Sequence, residues 1–198
     1  MHLSDRIQRV ATSATMAMTQ AARDRRERGE PVISLSVGEP DFATPAHILD
    51  AARQAMTDGH TGYTAADGIL PLKQAIIEKF ARDNGLTFTV DQINVSPGGK
   101  AVLWNALAVT VGPSDEVIIP SPCWVSYPDM VKLTGATPVI LQGGADFKIT
   151  AAQLQAAITP ATRWLMLNSP SNPTGAVYSA NELSALAEVL RDHPKVMI

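Results

Sequence analysis

Three short segments combine residue types that can hold an anion or a flat ring. The first is Pro-Gly-Gly-Lys at 97–100, which follows the apolar run 93–96 and precedes a helix-forming segment. Glycines at a strand-to-helix turn let backbone N–H groups approach an anion, and the helix dipole favours negative charge there. The spacing is not that of a Walker A loop, because Asn94 and Ala101 stand where that motif needs glycine and serine or threonine. A plain turn with a surface lysine is the alternative.

The second segment is Ser-Pro-Cys-Trp at 121–124, directly after the apolar run Glu116–Pro120. A tryptophan at the end of a strand offers a flat face to an aromatic ligand. Core packing is the commoner use of a single tryptophan. Trp124 by itself therefore leaves both interpretations open.

The third segment is Ser-Pro-Ser-Asn-Pro-Thr-Gly at 169–175, after the apolar run Trp164–Asn168. Two prolines and a glycine restrict its backbone, and Asn172 is placed where its amide can donate to a ligand oxygen. X-Pro bonds are the usual place for cis peptides, which can direct a side chain sharply. A simple turn needs neither this length nor this rigidity, so the segment is typical of a binding loop.

Strand and helix patterns alternate along the chain, which predicts βα units on a mostly parallel sheet. The predicted strands are Val32–Val37, Ile93–Ser96, Glu116–Pro120, Thr137–Leu141, Trp164–Asn168 and Lys195–Ile198. In open sheets of this kind, ligands bind at the carboxyl ends of the strands, which is where the three segments fall. The predicted fold class is α/β, with a mostly parallel sheet and helices on both faces.

Local signals predict where the helices begin and end. Thr44 followed by Pro45 predicts a cap and a first helical residue, and Gly85 predicts the end of the next helix. Capping-box spacing predicts two further starts, at Thr150 with Gln153 and at Ser179 with Glu182. The first of these helices has an apolar face expected to meet the core, formed by Ile48, Ala51, Ala52 and Ala55.

Composition and charge exclude several classes of protein. Hydrophobic residues make up 45% and charged residues 18% of 198, the balance of a globular protein. The net charge of -3 provides no basic field for nucleic acid or an anionic membrane surface. No apolar run approaches the roughly 20 residues of a membrane span, the first residues are too polar for a signal peptide, and four scattered histidines argue against zinc. Cys123 is the one cysteine, which favours a cytoplasmic location.

The last residues, Lys195–Ile198, read as the start of a buried strand after a helix that ends near His193-Pro194. A domain seldom stops inside a central strand, because the neighbouring strands would lose hydrogen-bond partners. We therefore expect the sequence to be truncated, and expect the isolated chain to fold poorly because an apolar sheet edge is exposed.

Four segments in this order resemble class I aminotransferases, which are pyridoxal-phosphate enzymes of fold type I. They are 37–42 (Val-Gly-Glu-Pro-Asp-Phe), 97–100, 122–128 (Pro-Cys-Trp-Val-Ser-Tyr-Pro) and 169–175. The resemblance spans nearly the whole chain and is greatest to bacterial aspartate aminotransferases, whose N-terminal helix resembles Ile7–Arg28. It implies a small-domain start and arm over residues 1–44 and the N-terminal part of the cofactor-binding large domain over 45–198.

The resemblance implies a role for each of several residues toward pyridoxal 5′-phosphate. Gly99 and Lys100 match the turn that meets the cofactor phosphate. Trp124 matches the aromatic residue stacked on the pyridine ring. Asn172 matches the asparagine that hydrogen-bonds the ring hydroxyl oxygen and stabilises its phenolate form. By the same likeness, Ser121-Pro122 and Asn172-Pro173 are expected to be cis.

Further matches concern the substrate and a second subunit. Gly38 matches a backbone contact to the substrate carboxylate, and Lys100 matches a lysine that also holds the distal carboxylate of an acidic substrate. Trp124 and Asn172 border the substrate as well as the cofactor. Tyr63 matches a tyrosine that reaches the phosphate of the neighbouring subunit's cofactor, which implies a homodimer.

The resemblance also implies a Schiff-base lysine, which is expected beyond Ile198, so no catalytic residue is predicted within the chain. The six lysines present offer no substitute: Lys73 and Lys79, for instance, are predicted on the polar side of a helix. The implied activity of the complete enzyme is transfer of an amino group from aspartate to 2-oxoglutarate, with the chain alone inactive. Two alternatives stay open: a non-catalytic truncated homologue that serves as a binding module, and another pyridoxal-phosphate enzyme such as a lyase.

Overall fold

The computed structural model describes residues 2–10, 12–35, 38 and 40–198, apart from the side chain of Ala14. They form two compact units, one of residues 1–14 with 103–198 and the other of residues 15–102. The helices are α1 (Asp5–Gln8), α2 (Ala14–Glu27), α3 (Ala46–Thr57), α4 (Leu70–Asn84), α5 (Gly99–Thr110), α6 (Ser126–Thr134), α7 (Ala151–Ala157) and α8 (Ala180–Arg191), with a 3₁₀ turn at Val90–Gln92. Within these ranges, no helix has both the length and the apolar character needed to cross a membrane.

The first unit is built on a parallel sheet in the order β2-β1-β3. Its strands are β1 (Glu116–Ser121), β2 (Thr137–Gln142) and β3 (Thr162–Leu165). Three predicted strands are thereby confirmed, although β3 begins two residues earlier and ends three residues earlier than expected. Of the predicted strand at 195–198, only Met197 pairs, through a parallel bridge to Trp164.

The middle strand β1 is buried on both faces and separates two apolar cores. Val117 and Ile119 point into one core with residues of α5 and α6, among them Leu107, Met130 and Val131. Ile118 points into the other with residues of α7 and α8, among them Leu154 and Leu186. Burying each such side chain contributes roughly 1.5–3 kcal/mol. Helices therefore cover both faces of the sheet, which confirms the predicted fold class.

Hydrogen bonds within the first turn start α7 and α8 where the sequence predicts. The N–H of Gln153 donates to Thr150 Oγ1 at 3.2 Å, and its side chain accepts from the N–H of Thr150 at 2.9 Å. Ser179 and Glu182 make the same reciprocal pair at 3.3 and 2.7 Å. Both capping boxes are confirmed.

In the second unit the helix ends follow the predictions only in part. Gly85 ends α4 in the left-handed conformation with φ of 65°, as predicted. Pro45, however, occupies the cap position of α3, and no side chain caps that helix. The predicted cap by Thr44 is therefore wrong. The apolar face of α3 is not buried among the described residues, since Ile48 is 50% exposed.

Two predicted strands of the second unit are not observed as strands. Residues 32–35 are irregular, and residues 36 and 37 lie outside the described residues. Residues 93–96 are not part of a sheet, although Ile93 is buried and the N–H of Val95 donates to Asp67 O at 3.0 Å. An apolar run becomes a strand only where a second segment pairs with it.

Two further expectations about helices are wrong. The segment Ile7–Arg28, expected to match one N-terminal helix, holds the last two residues of α1 and, separately, the whole of α2. Lys73, expected on the polar side of α4, is only 5% exposed and its Nζ donates to the carboxylate of Asp67 and to Val90 O. Burial of an ammonium group requires such partners, and the sequence pattern did not reveal them.

Candidate active site

The carboxyl end of β1 leads into the 121–124 segment through a fixed turn. The Ser121-Pro122 peptide is cis, as expected from the resemblance. Ser121 O accepts a hydrogen bond from the N–H of Gly143 at 2.9 Å, and its Oγ donates to Gln142 at 2.9 Å. The turn is thus tied to the end of the neighbouring strand β2.

Trp124 is half-buried and packs against the core beneath α5 and α6. Its ring meets that of Tyr127 edge to face, with the centroids 5.4 Å apart. The two interpretations of Trp124 are therefore compatible in geometry: part of the side chain fills space beside the core, and part stays accessible.

The carboxyl end of β3 continues into the 169–175 loop, whose backbone closes on itself. The N–H of Ser171 donates to Ala176 O and that of Gly175 donates to Ser171 O, at 2.9 and 2.8 Å. Asn172-Pro173 is cis as expected, and Ser169-Pro170, which the sequence did not single out, is cis as well. Asn172 lies exposed within this loop.

The two loops border one narrow cleft. Among its lining residues are Pro122, Cys123, Tyr127, Phe147, Asn168 and Asn172. The solvent-accessible volume is about 10 Å³, which holds about one water molecule. Asn172 and Cys123, distant in the sequence, are therefore neighbours of one cleft at the carboxyl edge of the sheet, whereas Trp124 is the residue next to that lining.

The ionisable side chains in this cleft stay neutral near pH 7. Burial raises the pKa of the Cys123 thiol and, with a smaller contribution from Cys123, that of the Tyr127 hydroxyl. Burial also raises the pKa of Tyr178, a further lining residue. A neutral wall strengthens any hydrogen bond made to a charged ligand atom beside it. Within the described ranges, no three His, Cys, Asp or Glu residues are grouped closely enough to hold a metal ion.

The other unit holds the remaining predicted site residues. Gly98 has φ of 90°, a conformation that favours glycine, and its carbonyl accepts the N–H groups of Ala101 and Val102 at 3.1 and 3.3 Å. The helix α5 begins directly after it, at Gly99. A Cβ added at Gly98 or Gly99 would meet no atom within 4 Å, so the backbone at this helix N-terminus is open to a ligand.

Three further residues of the predicted site are exposed. Lys100 and Tyr63 are exposed, and Gly38 lies in irregular, exposed chain. Two residues of the 37–42 motif, Val37 and Glu39, lie outside the described residues. Trp124 and Asn172 thus belong to the unit with the sheet, and Gly38, Tyr63, Gly99 and Lys100 to the unit 15–102.

Two residues at the cleft were missed in the sequence. Phe147 lines it with φ of 61°, unusual for a large side chain. Asn168 lines it too, and its Oδ1 accepts the N–H of Asn172 at 2.7 Å. The signal for Asn168 was present, because asparagine at a strand end commonly bonds nearby backbone. Nothing in the sequence around Phe147 predicts a left-handed conformation.

Comparison with known proteins places this chain in a family. The family model for aminotransferase class I and II matches residues 30–198. The chain therefore belongs to the class I and II aminotransferases, which confirms the resemblance drawn from the four motifs.

Individual relatives agree with that assignment. The aspartate/prephenate aminotransferase of Cereibacter sphaeroides is 56% identical over 198 residues, which cover 99% of this chain and 50% of that protein. The aspartate aminotransferase of Geobacillus stearothermophilus is 48% identical, with 100% and 51% covered. The crystal structure of the aspartate aminotransferase from Rhizobium meliloti superposes with a TM-score of 0.96 at 46% identity, over 100% of this chain and 50% of that one. The chain spans about half the length of these curated relatives.

Proposed function

We propose that the protein carrying this chain is a pyridoxal-phosphate-dependent aminotransferase that transfers an amino group from aspartate to 2-oxoglutarate in the cytoplasm. The observation that carries the proposal is the shared cleft at the carboxyl edge of the sheet. There the 169–175 loop presents Asn172 beside the turn that holds Trp124. Family membership and the names of the relatives support the amino acid and the reaction class.

The hydrogen-bond donors and ring faces beside the cleft fit this cofactor. Pyridoxal phosphate, when bound, supplies a carbonyl group that reacts with amines and a ring that takes up an electron pair. The cleft itself holds about one water molecule, so the residues that would hold the ring are accessible ones at its edge. Asn172 is exposed there and carries a carboxamide N–H for a ring oxygen, and the accessible part of Trp124 supplies a flat face for stacking.

Anion binding is assigned to the start of α5. The open backbone at Gly98 and Gly99 and the dipole at the start of a 12-residue helix suit a phosphate group. We assign Lys100 to the same phosphate and to the distal carboxylate of an acidic substrate. Gly38 is assigned to the α-carboxylate of the substrate through its backbone.

A homodimer is part of the proposal. Tyr63 is fully exposed in its own chain, which supports a role in reaching the cofactor of a second subunit. The proposed domain organisation is an arm and the start of a small domain at 1–44, followed by large-domain residues at 45–198.

Amine exchange in this reaction class also needs a lysine that bonds the cofactor. Lys73 is paired with Asp67, Lys132 with Asp129, and Lys148 with Asp146 and Glu182. The hydrogen bond that Lys148 donates to Glu182 raises the pKa of this lysine and favours its charged form, whereas a nucleophile must be neutral. We therefore propose that the Schiff-base lysine lies outside these 198 residues, and that the 198-residue polypeptide alone does not transaminate.

Two experiments test the proposal. An open reading frame beyond codon 198 that encodes a Ser-x-x-Lys segment would support it, and an in-frame stop codon would favour the binding-module alternative. The purified gene product should then bind pyridoxal phosphate with a new visible absorption band and convert aspartate with 2-oxoglutarate. Prephenate is included as a second acceptor, because the Cereibacter relative is named for both substrates.

A matched pair of variants makes the assay specific to the site. Asn172→Ala should lower the affinity for pyridoxal phosphate and the rate. Asn84→Ala changes an exposed asparagine of α4, in the other unit, and should leave both values unchanged. If the wild-type gene product shows neither the band nor activity at saturating cofactor, the proposed function is wrong.

A further inference from the structure

Asn168 stands between β3 and the 169–175 loop and is half-buried at the wall of the cleft. Its side-chain Oδ1 accepts the backbone N–H of Asn172 at 2.7 Å. The two asparagines are four positions apart in the sequence, so the bond ties the tip of the loop back to the end of the strand. Through this bond, the end of strand β3 restrains the backbone of Asn172, the residue proposed to contact the cofactor.

Other hydrogen bonds of the loop hold its base and its far side. Ser171 pairs with Ala176 and with Gly175, and the N–H of Tyr178 donates to Ser169 Oγ at 3.1 Å. Within the part of the chain described by the structure, the hydrogen bond that Asn172 makes is the one its N–H donates to Asn168. Asn172 is exposed, so packing adds little restraint there.

We propose that Asn168 is a positioning residue that fixes the direction of the Asn172 carboxamide toward the ring hydroxyl oxygen of the cofactor. This inference rests on the proposed function. With Asn168 removed, the N–H of Asn172 would bond to water, and rotation at residue 172 would spread its carboxamide over many directions. The carboxamide would then point toward the ring oxygen for only part of the time, so most of the stabilisation given to the phenolate form would be lost.

The sign of the effect follows from the charge on that oxygen. A donor that favours the negatively charged form lowers the pH at which the bound cofactor changes its visible absorption. Asn168→Ala should therefore raise the midpoint of this spectral titration, by up to roughly one pH unit. The titration reports the electronic state of the bound ring and does not depend on turnover.

The experiment uses the complete gene product loaded with pyridoxal phosphate. Asn168→Ala and Asn168→Ser, whose shorter side chain cannot reach residue 172, should both raise the midpoint. Ser169→Ala is the control, because it removes one hydrogen bond of comparable length from the same loop without touching Asn172. It should leave the midpoint in place, whereas an equal shift in this control would show general loosening of the loop and overturn the inference.

A double-mutant cycle tests whether Asn168 acts through Asn172. Asn172→Ala should itself raise the midpoint, and adding Asn168→Ala should then shift it by no more than about 0.2 unit. Additive shifts would overturn the inference, as would a normal midpoint in both Asn168 variants while Asn172→Ala shifts it. Absence of any visible band in the wild type would instead overturn the proposed function, so the two failures are distinguishable.

Discussion

Replacing Tyr178 with phenylalanine should destabilise the sheet unit through the loss of one buried hydrogen bond. Tyr178 is 7% exposed, and its hydroxyl oxygen accepts a hydrogen bond from the N–H of Ile149 at 2.9 Å. Ile149 is buried as well. Tyr178→Phe leaves that N–H without a partner, at a cost of about 1–3 kcal/mol. The ring and its packing remain, so the hydrogen bond is the main change.

The expected loss of about 2 kcal/mol can be measured in two ways. With urea m-values of about 1–3 kcal/mol per M, the unfolding midpoint should fall by roughly 1 M. Hydrogen exchange of the Ile149 amide, followed in the gene product, should speed up by about 30-fold if it occurs by opening of this region.

Tyr127→Phe is the matched control for this measurement. Tyr127 lines the same cleft, and among the described residues its hydroxyl makes no hydrogen bond. Its removal should change the urea midpoint by less than about a quarter of the Tyr178→Phe effect. Equal midpoints for the two variants, with unchanged exchange at Ile149, would refute the reasoning.

Three further predictions concern the ring contact, pH and the turn before α5. Trp124→Ala should weaken cofactor binding by about 1 kcal/mol beyond the lost contact area, while Trp124→Phe should retain most of the affinity, and equal spectral titrations for both would contradict this. The hydrogen bond from Lys148 lowers the pKa of Glu182 from 4.5 to about 2, so its stabilisation is complete above about pH 4.5 and is lost as the pH falls toward 2. Glu182→Gln should therefore flatten the dependence of the urea midpoint on pH in that window, and a parallel curve would count against the assignment. Gly98→Ala should cost about 1–2 kcal/mol because of its positive φ, whereas Gly99→Ala should be nearly neutral in a thermal melt, and equal melting temperatures would disprove the strain.

The elements that sequence predicted well are those whose cause is local. Reciprocal bonds at Thr150 and Ser179 involve residues three positions apart, so the capping boxes were visible as spacing. The apolar run of β1 likewise reflects a strand covered on both faces. Such features are visible within a short stretch of sequence.

The predictions that were wrong depend on partners elsewhere in the chain. The run at 93–96 has the composition of a strand but pairs with no described strand, and strand formation requires that pairing. Lys73 was expected to be exposed because a lysine usually is, yet Asp67, six residues earlier, satisfies it in a buried position. The predicted start of α3 was wrong by one residue, a difference that is common at helix ends.

For the candidate site, the sequence indicated residues that the structure brings to one cleft, but not what holds them. Asn172 and the 121–124 turn were found because prolines and aromatic residues at strand ends are unusual. Asn168 was overlooked because a hydrogen bond that a nearby backbone N–H donates to a side chain leaves a weak sequence pattern. The Oδ1 of Asn168 lies 2.7 Å from the backbone nitrogen of Asn172. This restraint is proposed to matter because an exposed carboxamide is useful as a donor only if its backbone is fixed. β1, buried on both faces, and the adjoining end of β3 provide a rigid base for that restraint. Specificity for the ring oxygen would therefore depend on the strand ends as much as on the loop that bears Asn172.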